Sequence, residues 1–381
     1  MATVFVPKES TPGETRVSLV HEGAKHLAAT GLTVLVESGA GAAARSRDAD
    51  YEKAGAKIAG REGWANADLV LKVQPPTVEE AARLKSGAIL VCFVYAASRR
   101  PVVDALLSRG ISTLAMELVP RITRAQAMDA LSSQATIAGY KAVLVAAERS
   151  PRLFPLLMTA AGTITPARVV VFGAGVAGLQ AIATARRLGA IVEATDVRYA
   201  AKEQVESLGG RFIEVPGLGD LEGAGGYAKE ASAEVLARQR EVVGKKVAEA
   251  DVVITTALVP GKPAPKLVGA DMVRSMKPGA VLVDMAVESG GNCELSELGA
   301  VVEKHGVTIV GIPNLPATVP MHASELYSKN VLNMVKLFVD KEGRLSTEFK
   351  DEVLAGALLT HQGKLVHEAT AKALGMMAVG A

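Results

Sequence analysis

The sequence predicts an α/β protein of two doubly wound parallel-sheet domains, and three observations carry that expectation. Short apolar runs such as Ala88-Ile-Leu-Val-Cys-Phe93 and Val252-Val-Ile-Thr-Thr256 alternate with helical patterns along most of the chain. Strands apolar on both faces belong to parallel sheets covered by helices. Residues 169–172 break into Gly173-x-Gly175-x-x-Gly178, and an apolar helix pattern follows until Gly189; this is the strand, tight turn and helix of a Rossmann-like unit. Finally, 381 residues exceed one ordinary core and suit two domains.

In chain order, Thr3-Val-Phe-Val-Pro7 reads as a buried strand, and Lys8 to Arg16 as a loop punctuated by Pro12 and Gly13. A helix over residues 21–29 leads to a strand over 33–37, and further strands fall at 68–73, 88–93 and 111–116, separated by helical patterns ending near Lys85 and Arg109. This first domain has no glycine fingerprint. Residues 123–150 read as one long connecting helix, on which Gln126, Asp129 and Ser132 recur at i, i+3 and i+6 and share a face. The second domain repeats the alternation with strands at 211–215, 252–256, 280–284 and 307–311, and residues 327–339 read as a helix returning to the first domain. The expected domains are residues 1–126 with 328–381, and residues 127–327. Long helices join them and a cleft separates them, with the fingerprint helix opening into it.

Charges nearly cancel, 42 basic against 40 acidic residues, and no basic run marks a nucleic-acid surface. Cys92 and Cys293 stand far apart without a partner motif, which points away from a disulfide scaffold or cysteine metal site and towards a reducing compartment. The apolar region 153–185 is cut by Pro166, Arg168 and the glycine turn, short of the ~20 continuous apolar residues a membrane span needs. No basic segment followed by an apolar one opens the chain, so it is expected to be soluble by itself.

The fingerprint carries the first chemistry. Gly173 permits the sharp turn, Gly175 lets backbone approach a pyrophosphate, and Gly178 lets helix and strand pack without a Cβ between them. Asp196 follows the next strand, at the spacing where a carboxylate meets an adenosine ribose. It accepts hydrogen bonds from ribose hydroxyls and repels a 2′-phosphate, which favours NAD(H) over NADP(H). Arg198, two residues on, adds a competing cation, but the carboxylate is expected to dominate. Residues 215–226 contain Gly217, Gly219, Gly223, Gly225 and Gly226 and end at Tyr227; they read either as a disordered surface loop or as a mobile lid over the cofactor. Arg121, Gln126, Asp129 and Ser132 form either a solvated helix start or a loop able to read a carboxamide.

With those residues in place, nearly the whole chain resembles the NAD(H)-binding soluble component, domain I, of proton-translocating NAD(P) transhydrogenase, and more distantly alanine dehydrogenase. The stretches that carry the likeness are Pro7-Lys-Glu-Ser-Thr-Pro-Gly-Glu-Thr-Arg-Val17, Met116-Glu-Leu-Val-Pro-Arg-Ile-Thr-Arg-Ala-Gln-Ala-Met-Asp129, Gly173 to Gly178, Ala200-Ala-Lys-Glu-Gln-Val-Glu-Ser-Leu-Gly-Gly210, Gly225-Gly-Tyr-Ala-Lys-Glu230, Thr255-Thr-Ala-Leu-Val-Pro-Gly-Lys-Pro-Ala-Pro265 and Glu288-Ser-Gly-Gly-Asn-Cys293. The resemblance implies a Re/Si-specific enzyme in which this subunit binds NADH and passes a hydride to NADP⁺ on a second soluble subunit. A membrane-spanning subunit then couples the transfer to proton movement. It implies a homodimer, no nucleic acid, no metal, and a place on the cytoplasmic side of the inner membrane, reached through partner subunits. It further implies that Arg121, Gln126, Asp129 and Ser132 hold or steer the nicotinamide ring. By the same likeness Gly173, Gly175, Val176, Ala177, Gly178, Asp196, Val197, Arg198, Gly226, Tyr227, Thr256, Ala257 and Leu258 bind NAD(H), with Tyr227 on a closing loop. The chain ends at Ala381 without membrane helices, which resembles the split-subunit arrangement.

Alanine dehydrogenase is the competing reading. Reducing an imine or ketone needs a carboxylate clamp and a general acid poised near neutral pH. Arg16 and Lys72 match the clamp of that family, but the strand end where it keeps a histidine reads Cys92-Phe-Val-Tyr-Ala96, and His21, His26, His305, His322, His361 and His367 all lie elsewhere. A hydride passing between two nicotinamide C4 atoms moves no other proton, so proximity and ring orientation supply the catalysis. A nucleotide-binding regulator without chemistry is a third reading. If the glycine-rich loop is a lid, proteolytic cutting between Val215 and Tyr227 slows on adding NADH, because binding contacts offset the entropy of fixing it. Cutting that ignores the nucleotide leaves the disordered-loop reading standing.

Overall fold

The structure, a computed structural model, describes residues 1–215, 233–258 and 262–378. Contacts divide the chain into two units, Met1–Gln134 with Ala317–Ala381, and Ala135–Pro316. In the first unit, β1 (Thr3–Val6), β2 (Thr33–Glu37), β3 (Lys57–Ala59), β4 (Leu69–Leu71), β5 (Ile89–Cys92) and β6 (Ser112–Ala115) pair in parallel in the order β6-β5-β4-β1-β2-β3. β4 and β5 are buried along their whole length, the condition of central strands with helices on both faces.

The second unit opens with a separate antiparallel hairpin, β7 (Leu157–Thr159) and β8 (Gly162–Ile164), both exposed. Its main sheet comprises β9 (Arg168–Phe172), β10 (Ile191–Thr195), β11 (Arg211–Phe212), β12 (Val252–Thr255), β13 (Val281–Asp284), β14 (Val301–Lys304) and β15 (Val307–Val310), in the order β11-β10-β9-β12-β13-β15-β14. β9 is central, and its last residue Phe172 pairs in register with Thr195 on one side and Thr255 on the other. Both units are therefore doubly wound and Rossmann-like, with antiparallel hairpins added at two edges. β14 runs antiparallel to β15, and in the first unit β16 (Leu358–His361) and β17 (Lys364–Leu365) run antiparallel beside β6. Each hairpin turns on two residues of positive φ, His305 (55°) with Gly306 (76°) and Gln362 (47°) with Gly363 (77°), the left-handed pair that matches the twist of a two-residue hairpin.

Three elements differ from their sequence expectation. The strand expected over 211–215 pairs with β10 only at Arg211 and Phe212; the Ile213 N–H still donates to Ala194, and the chain then leaves the ladder. The helix expected over 327–339 runs Pro320–Val335, with proline in its first turn, where a missing N–H costs nothing. The single long helix expected over 123–150 is two elements, a 3₁₀ turn Thr123–Met128 and a helix Ala130–Arg149. Asp129 divides them because its carboxylate caps the second, accepting the Ser132 N–H at 2.8 Å and the Ser132 hydroxyl at 2.6 Å. Aspartate satisfies orphan N–H groups better than it continues a helix. Gln126, Asp129 and Ser132 therefore do not share one helical face.

The first unit also buries charge. The Pro7–Arg16 loop folds so that Arg16 meets Glu14 through Nε at 2.8 Å and Nη2 at 2.6 Å, while Lys72 meets Glu9 at 2.5 Å. Gln74 donates to Glu14 at 2.7 Å, and Arg16 donates to Gln134 at 2.9 Å. Burial alone would raise the Glu14 carboxyl, but the Arg16 hydrogen bonds and charge, with Gln74, bring it down to about 2. Burial alone would lower the Lys72 ammonium, but Glu9 and Glu80 beside it hold it above the ordinary lysine value. A carboxylate with a depressed folded-state pKa contributes stability above its unfolded pKa and loses it as pH falls through the folded one. Glu14 should thus contribute roughly 3 kcal/mol at neutral pH, lost between about pH 5 and pH 2. Glu14→Gln, which leaves Arg16 buried without its anion, should cost about 3–5 kcal/mol at pH 7 and give a shallower acid limb than the wild type. Urea unfolding followed from pH 7 downwards checks both, and parallel acid limbs would refute the assignment.

Candidate functional site

The second unit gathers most of the expected nucleotide residues at the carboxyl ends of three adjacent strands, β10, β9 and β12. Gly173 follows β9 with φ 92°, and a Cβ there would stand 2.7 Å from the Thr256 hydroxyl. Gly178 lies in the first turn of the Val176–Arg187 helix, where a Cβ would fall 1.8 Å from the Gly173 carbonyl oxygen. No side chain can be accommodated at that distance, so Gly178 is a requirement of the fold. Gly175 is different: a Cβ there would meet nothing within 4 Å. It caps a 12-residue helix without any side-chain hydrogen bond, leaving first-turn N–H groups and the positive end of the helix dipole for an anion. Val176 is exposed and Ala177 half-buried beside that opening.

The turn is braced from both neighbouring strands. After β12, the Thr256 hydroxyl donates to the Phe172 and Gly173 carbonyls at 3.1 Å each, and the Thr256 N–H to Phe172 at 2.9 Å. After β10, the Asp196 carboxylate accepts the Ala174 N–H at 2.7 Å. The same carboxylate takes the Arg198 N–H and Nε at 2.9 Å each and Nη2 at 2.8 Å. Burial pushes the Asp196 carboxyl up, but the Arg198 and Ala174 donors more than offset it and keep it below the usual aspartate value. Val197 is half-buried between the two.

Ala257, which follows Thr256, is held from a distance. Asn292 accepts the Ala257 N–H at 3.1 Å and donates to the Ala257 and Pro265 carbonyls at 2.9 Å. Asn292 is presented by a loop wrapped around buried Asp284, whose carboxylate accepts the N–H groups of Ala286, Asn292 and Cys293 and the hydroxyls of Thr255 and Ser296. Gly290 (φ 96°) and Gly291 (φ 80°) make the wrap possible, and a Cβ on Gly291 would sit 2.7 Å from Asp284. The Glu288-Ser-Gly-Gly-Asn-Cys293 run is thus a device for placing Asn292. Leu258 is exposed at the end of this segment. Gly226, Tyr227 and all of the expected lid after Val215 lie outside the described residues.

Arg121, Gln126, Asp129 and Ser132 belong to the first unit. Arg121 and Gln126 are exposed, whereas Asp129 and Ser132 are half-buried and bonded to each other as the helix cap. Asn330 fixes the same corner, donating to Ala127 at 2.9 Å and accepting the Ser133 hydroxyl at 2.7 Å. Arg16 and Lys72 are not open cations, being tied to Glu14 and Glu9. At the end of β5, burial pushes the Cys92 thiol well above its ordinary value, and Glu117 accepts the Val94 N–H at 3.0 Å and the Tyr95 N–H at 2.5 Å. Among the described residues no group of His, Cys, Asp and Glu is arranged to hold a metal, and no helix is long and apolar enough to cross a membrane.

Sequence reasoning missed Gly139. It sits within the Ala130–Arg149 helix, where a Cβ would stand 2.1 Å from the Ala177 carbonyl oxygen, so this helix lies backbone to backbone against the first turn of the fingerprint helix. The available signal was a lone glycine inside an apolar helical pattern, which marks close packing.

Family models match both halves of the chain: "Alanine dehydrogenase/PNT, N-terminal domain" over residues 5–138 and "Alanine dehydrogenase/PNT, C-terminal domain" over residues 142–368. The chain is 52% identical over 376 residues to the first part of NAD(P) transhydrogenase subunit alpha from Rhodospirillum rubrum, covering 96% of this chain and 98% of that protein. It is 34% identical over 384 residues to alanine dehydrogenase of Mycobacterium tuberculosis, covering 98% and 97%. Among solved structures, a transhydrogenase from Sinorhizobium meliloti matches with a TM-score of 0.88 at 47% identity, over 96% of this chain and all of that one.

The glycine geometry separates fold from site. Gly139→Ala should destabilise the protein by about 1–3 kcal/mol, the usual cost of overpacking. Gly175→Ala, at an ordinary φ of −76° and facing open space, should leave stability within about 0.5 kcal/mol. Chemical denaturation of the two variants checks the contrast, and equal losses would refute it.

Proposed function

The chain belongs to the alanine dehydrogenase/PNT family, and from that premise we propose that it is the NAD(H)-binding subunit of a proton-translocating transhydrogenase. It passes a hydride from NADH to NADP⁺ held on a partner subunit. The observation that carries this reading is the end-to-end match, at 52% identity, to the first part of a transhydrogenase alpha subunit, on a chain whose second unit carries the dinucleotide turn. The residues present fit the cofactor: Gly175 leaves open space before an uncapped helix N-terminus, and Asp196 stands at the next strand end. When bound, NADH supplies the hydride from its nicotinamide ring.

The chain's own residues bind and orient. The Gly173–Gly178 turn with Val176 and Ala177 takes the pyrophosphate through backbone N–H groups, and Asp196, flanked by Val197 and Arg198, takes the adenosine ribose. Thr256, Leu258 and Ala257, the last held by Asn292, line the nucleotide, and Gly226 and Tyr227 close over it. Arg121 and Gln126 steer the nicotinamide ring, on a segment whose conformation the Asp129–Ser132 cap fixes. No acid or base is required, because a hydride moving between two nicotinamides leaves no proton to place, and orientation supplies the rate.

Amino-acid dehydrogenation is disfavoured by particular residues. The two cations matching a carboxylate clamp are paired internally, and the thiol at the end of β5 is held protonated by burial, whereas imine chemistry needs a group poised near neutral pH. The assembly we propose is a homodimer that docks an NADP(H)-binding subunit and membrane-spanning subunits on the cytoplasmic side. The β7–β8 hairpin supports the dimer, since Leu156, Leu157, Met158 and Ile164 are 53, 41, 74 and 42% exposed, a patch that a second copy would cover.

Stopped-flow mixing with NADH and a purified NADP(H)-binding partner tests the proposal. Gln126→Asn should leave NADH affinity within a few-fold yet slow transfer to an NADP⁺ analogue by about tenfold or more, since misplacing reacting atoms by ~1 Å costs around a hundredfold. Lost NADH binding with normal transfer at saturation would make Gln126 an ordinary binding residue. Turnover of pyruvate, ammonia and NADH by the chain alone would favour the dehydrogenase reading instead.

A further inference from the structure

The Asp196 carboxylate is saturated. Its Oδ1 accepts the Arg198 N–H and Nε, and its Oδ2 accepts Arg198 Nη2 and the Ala174 N–H, all between 2.7 and 2.9 Å. A carboxylate has about four lone-pair sites, so none remains for a ribose hydroxyl. The Arg198 guanidinium forms a two-pronged fork across both oxygens, the strongest geometry such a pair adopts. It is also sheltered, with side-chain exposures of 17% for Arg198 and 6% for Asp196, so salt screens it little. The Ala174 and Arg198 N–H bonds are backbone contacts fixed by the turns after β9 and β10. Among the described residues, the guanidinium is the one donor group on this carboxylate that side-chain rotation alone can remove.

Resting on the reading of this unit as an NAD(H) site, we infer that Arg198 is a specificity-determining latch: its guanidinium holds Asp196 until the adenosine ribose of NAD(H) displaces it. The exchange is matched in donors. The fork provides two N–H groups, and a 2′,3′-diol provides two O–H groups in return. A 2′-phosphorylated ribose has only its 3′-hydroxyl to offer and brings an anion towards Asp196, so it cannot open the latch on equal terms. Discrimination against NADP(H) therefore resides in the pair. Asp196 supplies the repulsion, and Arg198 supplies a threshold that only a diol crosses. Freed from Asp196, the same guanidinium would become a ligand for a 2′-phosphate.

Fluorescence titration of the whole chain with NADH and with NADPH tests this on Arg198→Ala, Arg198→Gln, Asp196→Asn and the double variant Asp196→Asn with Arg198→Ala. Removing the latch should tighten NADH binding by about three- to tenfold, the scale of one charge-assisted exchange, and narrow the NADH preference, because the threshold against a 2′-phosphorylated ribose goes with it while the Asp196 charge keeps NADPH the weaker ligand. Asp196→Asn should move the NADPH-to-NADH preference towards NADPH by about tenfold or more, and the double variant should lose that gain. Arg198→Gln keeps the side-chain stem if the alanine variant folds poorly. NADH affinity unchanged or weakened in both Arg198 variants would overturn the latch, and so would an Asp196→Asn gain that survives removal of Arg198. A wild type that binds neither nucleotide would sink the NAD(H) reading itself, which is a separate outcome.

Discussion

The contact on which the second unit depends is one of backbone against backbone. Gly178 brings the fingerprint helix to a distance from the Gly173 carbonyl that no other residue permits, and Gly139 brings a second helix nearly as close to Ala177. Hydrophobic packing alone does not specify such a contact, because a layer of side chains would hold the helix farther away. Setting the helix close aims its uncapped N-terminus across the ends of β9 and β12, and Thr256 then locks the turn through both carbonyls before the helix. The open, uncapped helix N-terminus is thus a by-product of how tightly strand and helix are joined. Of the three fingerprint glycines, Gly173 and Gly178 serve the packing, and Gly175 alone has open space in front of it.

The first unit solves a different problem. Burying Lys72 and Arg16 is costly, and an ion pair in a dry interior offsets that cost only where geometry and additional hydrogen bonds are good. Here each cation has its own carboxylate from the Pro7–Arg16 loop, with Val73 and Gln74 donating to the same anions. Tyr327 closes the cluster from the Pro320–Val335 helix, donating to the Lys72 carbonyl at 2.9 Å. A Gly- and Pro-punctuated loop with little apolar content is therefore anchored by charge, and both cations serve the structure.

How much of this was legible follows from how local each signal is. Buried parallel strands announce themselves as short apolar runs, and β4, β5, β12 and β13 stand where those runs do. The glycine turn was readable because its reason is confined to six residues. The connecting helix was misread because Asp129 lies within an unbroken helical pattern, and its capping role depends on which way a carboxylate three residues before Ser132 points. The hairpins at His305-Gly306 and Gln362-Gly363 carried a turn signal in their glycines, but a single glycine without Asn or Asp before it is a weak one. Asn292 was illegible for a stronger reason: its partners Ala257 and Pro265 are 35 and 27 residues away, and no pattern in a linear sequence records that distance.

The same distinction separates chemistry from scaffold within the family. Alanine dehydrogenase and transhydrogenase relatives align with this chain over nearly its full length, so the fold cannot decide between a reaction that moves a proton and one that does not. The decision rests on a few side chains at strand ends, where sequence is free to vary without disturbing the packed interior. At the end of β5 this chain has Cys92, Phe93 and Tyr95, a buried thiol beside two rings stacked at 5.5 Å, which cannot exchange a proton near neutral pH. Under the proposed hydride transfer, position carries the whole burden. The residues that matter most are then those that restrict movement: Asn292 behind Ala257, Asp129 at the start of its helix, and Thr256 over the glycine turn.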